Sequence, residues 1–139
     1  NGGGSNGGGS NGGGSNGGVC VEREGNDSFS GATRLFELCP GGTVSGSLAT
    51  ATDEDDYTFD VPAGATYDIA IDAPRSANFA LYKDTGTSYH HIGPGEGTGT
   101  RRTLTRTTPD GGKYILMVYR YMSGSAPGES YTLSVAITR

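Results

Sequence analysis

The chain has no tryptophan, two histidines and two cysteines, and each of these low counts limits the binding or catalytic sites that it can form. The histidines, His90 and His91, are adjacent, so on a strand they point to opposite faces and cannot chelate one metal together. No Gly-x-Ser-x-Gly elbow is present, and the sequence gives catalysis little support. No apolar run approaches the roughly 20 residues that a membrane span needs. The net charge of -5 argues against a nucleic-acid partner and is compatible with cations.

Residues 1–18 contain only Asn, Gly and Ser, arranged as NGGGS repeats. Because such a tract has no side chains to bury, it predicts a flexible linker. The repeat fits a natural tether to an upstream domain, and it also fits a cloning remnant. Residues 19–139 are long enough for one domain.

The two cysteines, Cys20 and Cys39, flank the start of this domain. A single pair in an otherwise cysteine-free chain predicts one disulfide in an exported protein. Two reduced, buried thiols are the alternative. A disulfide would contribute about 3 kcal/mol to stability in the chain-entropy model.

From Thr43 onward, apolar and polar residues alternate with a period of two, as in the segment from Tyr57 to Val61. This alternation is typical of half-buried strands. The predicted strands are 43–49, 56–61, 65–72, 77–83, 87–92, 101–107, 112–121 and 129–138. Many short strands separated by turn residues favour an all-β fold, specifically a jelly-roll-like antiparallel β-sandwich of about eight strands.

Only the segment from Phe29 to Leu38 could form a short helical turn, with Ser28 as its cap. No other part of the domain shows a convincing period of 3.6 residues.

Two acidic segments could hold a cation. The first contains Glu22, Glu24, Asn26 and Asp27, and the second runs from Asp53 to Asp56. Hard cations such as Ca²⁺ take six to eight oxygen ligands, often from carboxylates and Asn side chains. A bound cation would also relieve the repulsion between these like charges. The alternative is that the second segment is a solvated acidic turn.

The segment from Lys113 to Tyr121 is apolar on both faces of its predicted strand. If Tyr114 and alternate residues face the core, the others point outward. The outward side chains are then Ile115, Met117, Tyr119 and Tyr121. Such a stripe suits recognition of an extended polymer, and Tyr89 could enlarge it. Alternatively, neighbouring loops or side chains cover this face.

Seven segments in order make the chain resemble the bacterial pre-peptidase C-terminal domain, including the collagen-binding domains of clostridial collagenases. They are EREGNDSFSGA (22–32), GTVSGSL (42–48), DEDDYTFDV (53–61), ATYDIAID (65–72), NFALYK (78–83), GGKYILMVYRY (111–121) and GESYTLSV (128–135). The resemblance implies a jelly-roll sandwich, secretion, and attachment to a hydrolase as an accessory module. The Gly/Asn/Ser linker and the cysteine pair depart from the general pattern of the family.

The resemblance also implies roles for individual residues. The implied calcium ligands are Glu22, Glu24, Asn26, Asp27, Asp53 and Asp56. The implied collagen-gripping residues are Tyr119 and Tyr121, with Tyr89 a looser match. Because similar modules accompany polysaccharide-degrading enzymes, the resemblance in fold does not identify the polymer that the module binds.

These observations predict a non-catalytic, calcium-stabilised accessory module of a secreted hydrolase, with a protease as the leading candidate. It would anchor an upstream catalytic domain of the same chain to an insoluble polymer such as collagen. The predicted contact residues are Tyr119, Tyr121, Tyr89 and Met117. One alternative is a carbohydrate-binding module, against which the lack of tryptophan counts mildly. Another is a structural module that assists secretion and stability.

Overall fold

The computed structural model describes residues 19–22, 28–48, 53–73, 77–97, 100–120 and 129–139. The predicted linker, 1–18, lies outside them. The described residues form ten strands and one short helix, α1 (Leu35–Leu38). The strands are β1 (Cys20–Val21), β2 (Thr33–Arg34), β3 (Thr43–Leu48), β4 (Glu54–Val61), β5 (Thr66–Asp72), β6 (Ala77–Asp84), β7 (Tyr89–Pro94), β8 (Arg101–Thr107), β9 (Gly112–Arg120) and β10 (Glu129–Thr138).

The strands form two five-stranded sheets. The front sheet has the order β2-β4-β9-β6-β7, and the back sheet has the order β1-β3-β10-β5-β8. The eight longer strands pair antiparallel, whereas β1 and β2 add to the sheet edges as short parallel strands. The predicted antiparallel β-sandwich is confirmed, and it carries two edge strands that the sequence did not predict.

The core lies between the two sheets because alternate side chains of each strand point inward. On the front sheet the ring of Phe59 stacks on that of Tyr114, with centroids 6.0 Å apart. From the back sheet the ring of Tyr67 reaches Tyr114 at 5.2 Å. All three side chains are at most 4% exposed. These ring contacts bury apolar surface between the two sheets. The period-two pattern predicts that all three side chains point inward.

The predicted strand boundaries are confirmed to within two residues at each end, and the largest shift along the chain is in β7. This strand begins at Tyr89 rather than at residue 87. The preceding residues form a hydrogen-bonded turn, in which the Thr85 amide donates to the Ser88 carbonyl at 2.9 Å. The Asp84 side chain also accepts a hydrogen bond from the Gly86 amide. These local bonds hold the segment in a turn that alternation could not reveal.

The predicted helical turn is correct in type but too long. Only Leu35–Leu38 is helical, and Arg34 at its N-cap makes no side-chain capping bond. Ser28 caps a different turn, because its hydroxyl accepts a hydrogen bond from the Gly31 amide at 3.1 Å. The described residues contain no helix with the length and apolar character that crossing a membrane requires.

The predicted disulfide joins Cys20 to Cys39, which confirms that the cysteines are paired rather than reduced. Cys20 belongs to β1 of the back sheet, and Cys39 follows α1, which extends from β2 of the front sheet. The bond therefore ties β1 to the segment between α1 and β3. It closes a covalent loop over a sequence separation of 19.

Candidate functional site

The second acidic segment starts strand β4, and two of its carboxylates are buried. Asp55 and Asp56 have no solvent-exposed area. As neighbours on an extended strand they point to opposite faces. Asp55 lies on the inner face with Tyr57, and Asp56 lies on the outer face opposite Met117. A solvated acidic turn therefore does not describe these two residues.

The buried carboxylate of Asp55 is held by a pair of tyrosines inside the sandwich. The Tyr131 phenol donates to Asp55 Oδ2 at 2.7 Å. Its oxygen lies 2.8 Å from that of Tyr57. Because a phenol has one hydrogen and Tyr131 gives it to Asp55, Tyr57 is the donor to Tyr131. The three residues connect the front sheet to the back sheet at one end of the core.

Glu22 approaches the same end of the core from the N-terminal side. Its amide donates to the Ser45 carbonyl at 2.8 Å, and its Oε1 accepts from the Ser47 amide at 2.7 Å. A side chain at Gly46 would lie 2.9 Å from Glu22 Cδ and 2.4 Å from the Tyr131 hydroxyl. Glycine is required there because the carboxylate and the phenol converge over its backbone.

The pKa of Tyr131 lies far above its ordinary value. Burial is the largest cause, and the nearby Tyr57, Asp55 and Glu22 add to it. Each of these would make a phenolate unfavourable, so Tyr131 keeps its proton. The phenol therefore acts as a permanent hydrogen-bond donor to the buried carboxylate.

The predicted metal ligands fall partly within the described residues. Glu22, Asp53 and Asp56 are described, whereas Glu24, Asn26 and Asp27 lie outside them. The described part of the chain holds no group of three or more His, Cys, Asp or Glu residues close enough to bind a metal ion. What the structure brings together is Glu22 with Asp55 and two tyrosines, a grouping that the sequence did not predict.

The outer face of the front sheet differs from the exposed stripe that the sequence suggested. Five of its residues are less than 10% exposed: Asp56, Thr58, Asn78, Ala80 and Ile115. Met117 and Tyr119 are half-buried. The described residues 28–32, which we call the arm, pass over this face and place Phe29 against Tyr82. Ile115 is only 1% exposed. The alternative interpretation, in which other parts of the chain cover this face, therefore holds for Ile115.

Phe29 belongs to a cluster of four rings at the outer edge of the front sheet. Its ring lies 5.0 Å from that of Tyr82 and 4.9 Å from that of Tyr89. Tyr82 in turn lies 5.0 Å from His91. We call Phe29, Tyr82, Tyr89 and His91 the ring patch. The sequence analysis named only Tyr89 as a binding residue, although the inward-facing Leu81 implies that Tyr82 points outward.

The two predicted binding tyrosines that are described, Tyr89 and Tyr119, lie far apart on the front sheet. In the sheet register Lys113 is opposite Asp84, and Asp84 is opposite Tyr89. Tyr119 is six residues further along β9, which corresponds to roughly 20 Å along the strand. Tyr89 is 47% exposed and Tyr119 is half-buried. Tyr121 is also a predicted contact residue, and it lies outside the described residues.

A polar groove of about 410 Å³ lies at the other edge of the front sheet. Its charged lining residues are Arg34, Glu37, Asp60 and Lys113. Arg34 donates to Glu37 at 3.0 Å, and this contact raises the pKa of the guanidinium. Both side chains are at least 70% exposed, so the pair is worth little stability.

The two packed sheets define a β-sandwich domain with a buried carboxylate between them and aromatic side chains on the outer face of the front sheet. Residues 53–120 match the family model of the bacterial pre-peptidase C-terminal domain, which confirms the resemblance predicted from the sequence. In the homologous proteins this domain is a non-catalytic accessory domain.

Comparison with solved structures agrees with the family match. The pre-peptidase C-terminal domain of a collagenase from Bacillus anthracis is 28% identical, with a TM-score of 0.56, over 68% of this chain and 87% of that chain. A periplasmic inhibitor of g-type lysozyme from Aeromonas hydrophila is 24% identical, with a TM-score of 0.59, over 87% of this chain and 100% of that chain.

The surface-associated copper-binding protein CorA from Methylomicrobium album shares the fold with a TM-score of 0.61 at 10% identity, over 87% of this chain and 100% of that chain. At such identities the copper-binding protein and the lysozyme inhibitor establish the fold alone. Comparison with curated proteins found no match.

Proposed function

We propose that the domain is a calcium-stabilised accessory module of a secreted hydrolase, with a protease as the leading candidate, and that it anchors the enzyme to an insoluble polymer such as collagen. The observation that carries this proposal is the similarity to the pre-peptidase C-terminal domain of a collagenase, at 28% identity over 87% of that domain. Tethering raises the local concentration of a catalytic domain at the polymer without new chemistry.

The anchoring surface is the outer face of the front sheet. Tyr89 presents an exposed ring at one end, and Met117 and Tyr119 present half-buried side chains towards the other. A ligand that contacts both ends must be extended over roughly 20 Å, which favours a polymer over a small molecule. Tyr121 follows Tyr119 by two positions and is proposed as part of the same contact.

Calcium is proposed at the junction of the two acidic segments. The proposed ligands are Glu22, Glu24, Asn26, Asp27, Asp53 and Asp56. The donor set fits a hard cation, because it consists of carboxylate and amide oxygens, and both cysteine sulfurs are committed to the disulfide. The full burial of Asp56 supports this placement, since a bound cation offsets the cost of an enclosed carboxylate. The ion would fix the segment between β1 and the arm.

We propose that the protein is secreted, because Cys20 and Cys39 form a disulfide. Such bonds form and persist in oxidising compartments and are rare in the cytosol.

Anchoring is tested with the purified domain on collagen, gelatin, cellulose and chitin. We expect retention on collagen or gelatin, and a loss of at least tenfold in retention for Tyr119→Ala combined with Tyr121→Ala. Thr105→Ala, an exposed change on the back sheet, is the matched control. Equal retention of the tyrosine variant and the parent would remove the anchoring surface, and retention on a glycan alone would favour the carbohydrate alternative.

Calcium is tested by thermal melting with a chelator and with millimolar Ca²⁺. At a hundredfold excess over Kd, a ligand that binds only the folded state stabilises by about 2.7 kcal/mol. We expect a higher Tm with calcium and a smaller increase for Asp56→Asn, with Asp110→Asn as a control outside the acidic segments. The same Tm with and without calcium would contradict the metal proposal and leave the fold unchanged.

A structural role is the second candidate, because part of the outer face is buried. Ile115 at 1% exposure and Asn78 at 1% cannot contact a polymer in this conformation. A purely structural module predicts that no polymer retains the domain, and that deleting it lowers the yield of the parent enzyme.

A further inference from the structure

In the described part of the chain, three of the four sheet edges are short or covered. Along β8 the backbone of Thr103 exchanges hydrogen bonds of 2.7 and 2.9 Å with that of Glu96. The Arg106 guanidinium also donates to the Thr105 carbonyl at 2.9 Å. Two further edges end in β1 and β2, which have two residues each. Short or covered edge strands of this kind limit pairing with another chain.

The fourth edge, β7, has backbone groups that no described residue pairs with. The Thr85 amide donates to the Ser88 carbonyl at 2.9 Å, which fixes one hydrogen-bonded pair at the start of the β6–β7 ladder. Bonded and non-bonded pairs alternate along an antiparallel ladder. Counting along the register makes His90 a bonded residue and leaves Tyr89 and His91 non-bonded. The N–H and C=O groups of Tyr89 and His91 therefore point away from β6.

The far end of the ladder gives the same result and limits the open stretch. The Gly95 amide donates to the Phe79 carbonyl at 2.9 Å, and the ladder has one register shift before His91. Counting back across this bulge again leaves His91 non-bonded. Pro94 has no amide hydrogen, so pairing cannot continue past the end of β7. The open stretch is therefore residues 89–91.

The open edge carries no Asp, Glu, Lys or Arg side chain. Charged residues commonly protect edge strands, and the β7 sequence, YHHIGP, has none. Tyr89 is 47% exposed, and His90 and His91 are exposed. The adjacent positions of β6 carry one cation and one carboxylate, Lys83 and Asp84. Although the chain has a net charge of -5, a second copy can approach this edge without bringing carboxylates against carboxylates.

The open backbone groups are symmetric about His90, which makes the edge complementary to itself. With a two-fold axis at His90, Tyr89 of each copy lies opposite His91 of the other. Both residues have outward backbone groups, so each such pair exchanges both of its N–H···O bonds. On the outer face the Tyr89 ring packs beside the His91 ring of the second copy, as aromatic cross-strand pairs do. This symmetry favours a second copy over an unrelated strand.

We propose that β7 is a self-association edge, at which a second copy of the chain adds its own β7 in antiparallel orientation about a two-fold axis at His90. The two front sheets then form one continuous sheet, and the His90 side chains of the two copies lie opposite each other. Because one short strand buries little area, this dimer is weak and exchanges with the monomer. The inference goes beyond the proposed function, and it holds whether or not the domain binds a polymer.

Amide hydrogen exchange tests the edge directly, with the whole chain studied by NMR over a roughly hundredfold range of concentration. The Tyr89 and His91 amides should exchange about tenfold more slowly at the highest concentration, where sedimentation velocity should show a dimer. The His90 amide, which bonds to β6, is the internal control and should exchange slowly throughout. A parent that stays monomeric, or a dimer without this protection, would overturn the proposal. Protection that appears only with added gelatin would assign the edge to a polymer strand and overturn self-association.

His90→Lys tests the position of the axis, because it places like charges opposite each other. It should weaken dimerisation about tenfold or more, whereas Thr103→Lys, which adds the same charge at an exposed position of the back sheet, should leave dimerisation unchanged. His90→Asp should also be monomeric, but an equimolar mixture of His90→Lys and His90→Asp should form a mixed dimer. If His90→Lys dimerises as tightly as the parent, or if the mixture stays monomeric, the proposed pairing is wrong.

Discussion

The hydrogen bond from Tyr131 to Asp55 is predicted to be among the strongest single polar contacts in the fold. The replacement Tyr131→Phe keeps the ring, which is 3% exposed, and removes only the phenol oxygen. That oxygen donates to the fully buried Asp55 carboxylate and accepts from the Tyr57 hydroxyl. The change therefore leaves one charged acceptor and one neutral donor short of a partner.

The expected cost follows from these two losses. A hydrogen bond to a charged group contributes about 1.5–3 kcal/mol, and one between neutral groups contributes about 0.5–1.5 kcal/mol. Tyr131→Phe should therefore lower the free energy of unfolding by about 2–4 kcal/mol. Tyr57→Phe, which removes only the neutral bond to Tyr131, should cost about 1 kcal/mol. For a domain of this size the first change corresponds to a Tm lower by roughly 10 °C.

Urea unfolding, followed by far-ultraviolet circular dichroism, measures both changes. The matched control is Tyr114→Phe, because that phenol is also buried but donates to the neutral Thr108 hydroxyl at 2.9 Å. If Tyr131→Phe costs no more than Tyr114→Phe, the carboxylate is not the reason for the strength of the contact. An m-value that changes between variants would show that the denatured state had changed as well.

Three further predictions concern stability. Replacing Cys20 and Cys39 together by Ser should lower the free energy of unfolding by about 3 kcal/mol, and an oxidised parent no more stable than this variant would contradict the role of the disulfide. Gly46→Ala should be strongly destabilising because its Cβ would lie 2.4 Å from a phenol oxygen, whereas Gly93→Ala, with nothing within 4 Å, should be nearly neutral in the same urea assay. Burial raises the pKa of Tyr67 to about 12. The neutral phenol therefore contributes fully to the free energy of unfolding below about pH 10, and this contribution is lost as the pH rises towards 12. The free energy of unfolding should then fall by up to about 1.4 kcal/mol per pH unit in that range, and a slope unchanged in Tyr67→Phe would exclude this phenol as a cause.

The strands were predictable because alternation reports directly which side chains of a half-buried strand face the core. Tyr57 and Phe59 point inward as their spacing requires, and so do Leu116 and Val118. The start of β7 shifted because turn bonds around Thr85 are specific local contacts that periodicity does not record. The edge strands β1 and β2 have two residues each, too few for any period to be visible.

The candidate site was less predictable, because its geometry depends on contacts between distant parts of the chain. Alternation places Met117 and Ile115 on the outer face, but it cannot say whether another segment covers them. Phe29 meets Tyr82 and Tyr89 only after the arm has folded over the sheet. In the same way, an inward Asp55 follows from the spacing to Tyr57, but only the fold brings the Tyr131 hydroxyl to it. The calcium ligands remain a prediction from the resemblance.

The disulfide has a consequence for how the domain survives near proteolytic enzymes. Since Cys20 and Cys39 are joined, the polypeptide between them is a covalent ring that runs from β1 of the back sheet, through β2 of the front sheet, to the segment after α1. One cut anywhere in that ring leaves every residue of the molecule still linked, and β1 stays attached to its neighbour. Nicked material would migrate as one species on a non-reducing gel and separate into two fragments only after a reductant is added.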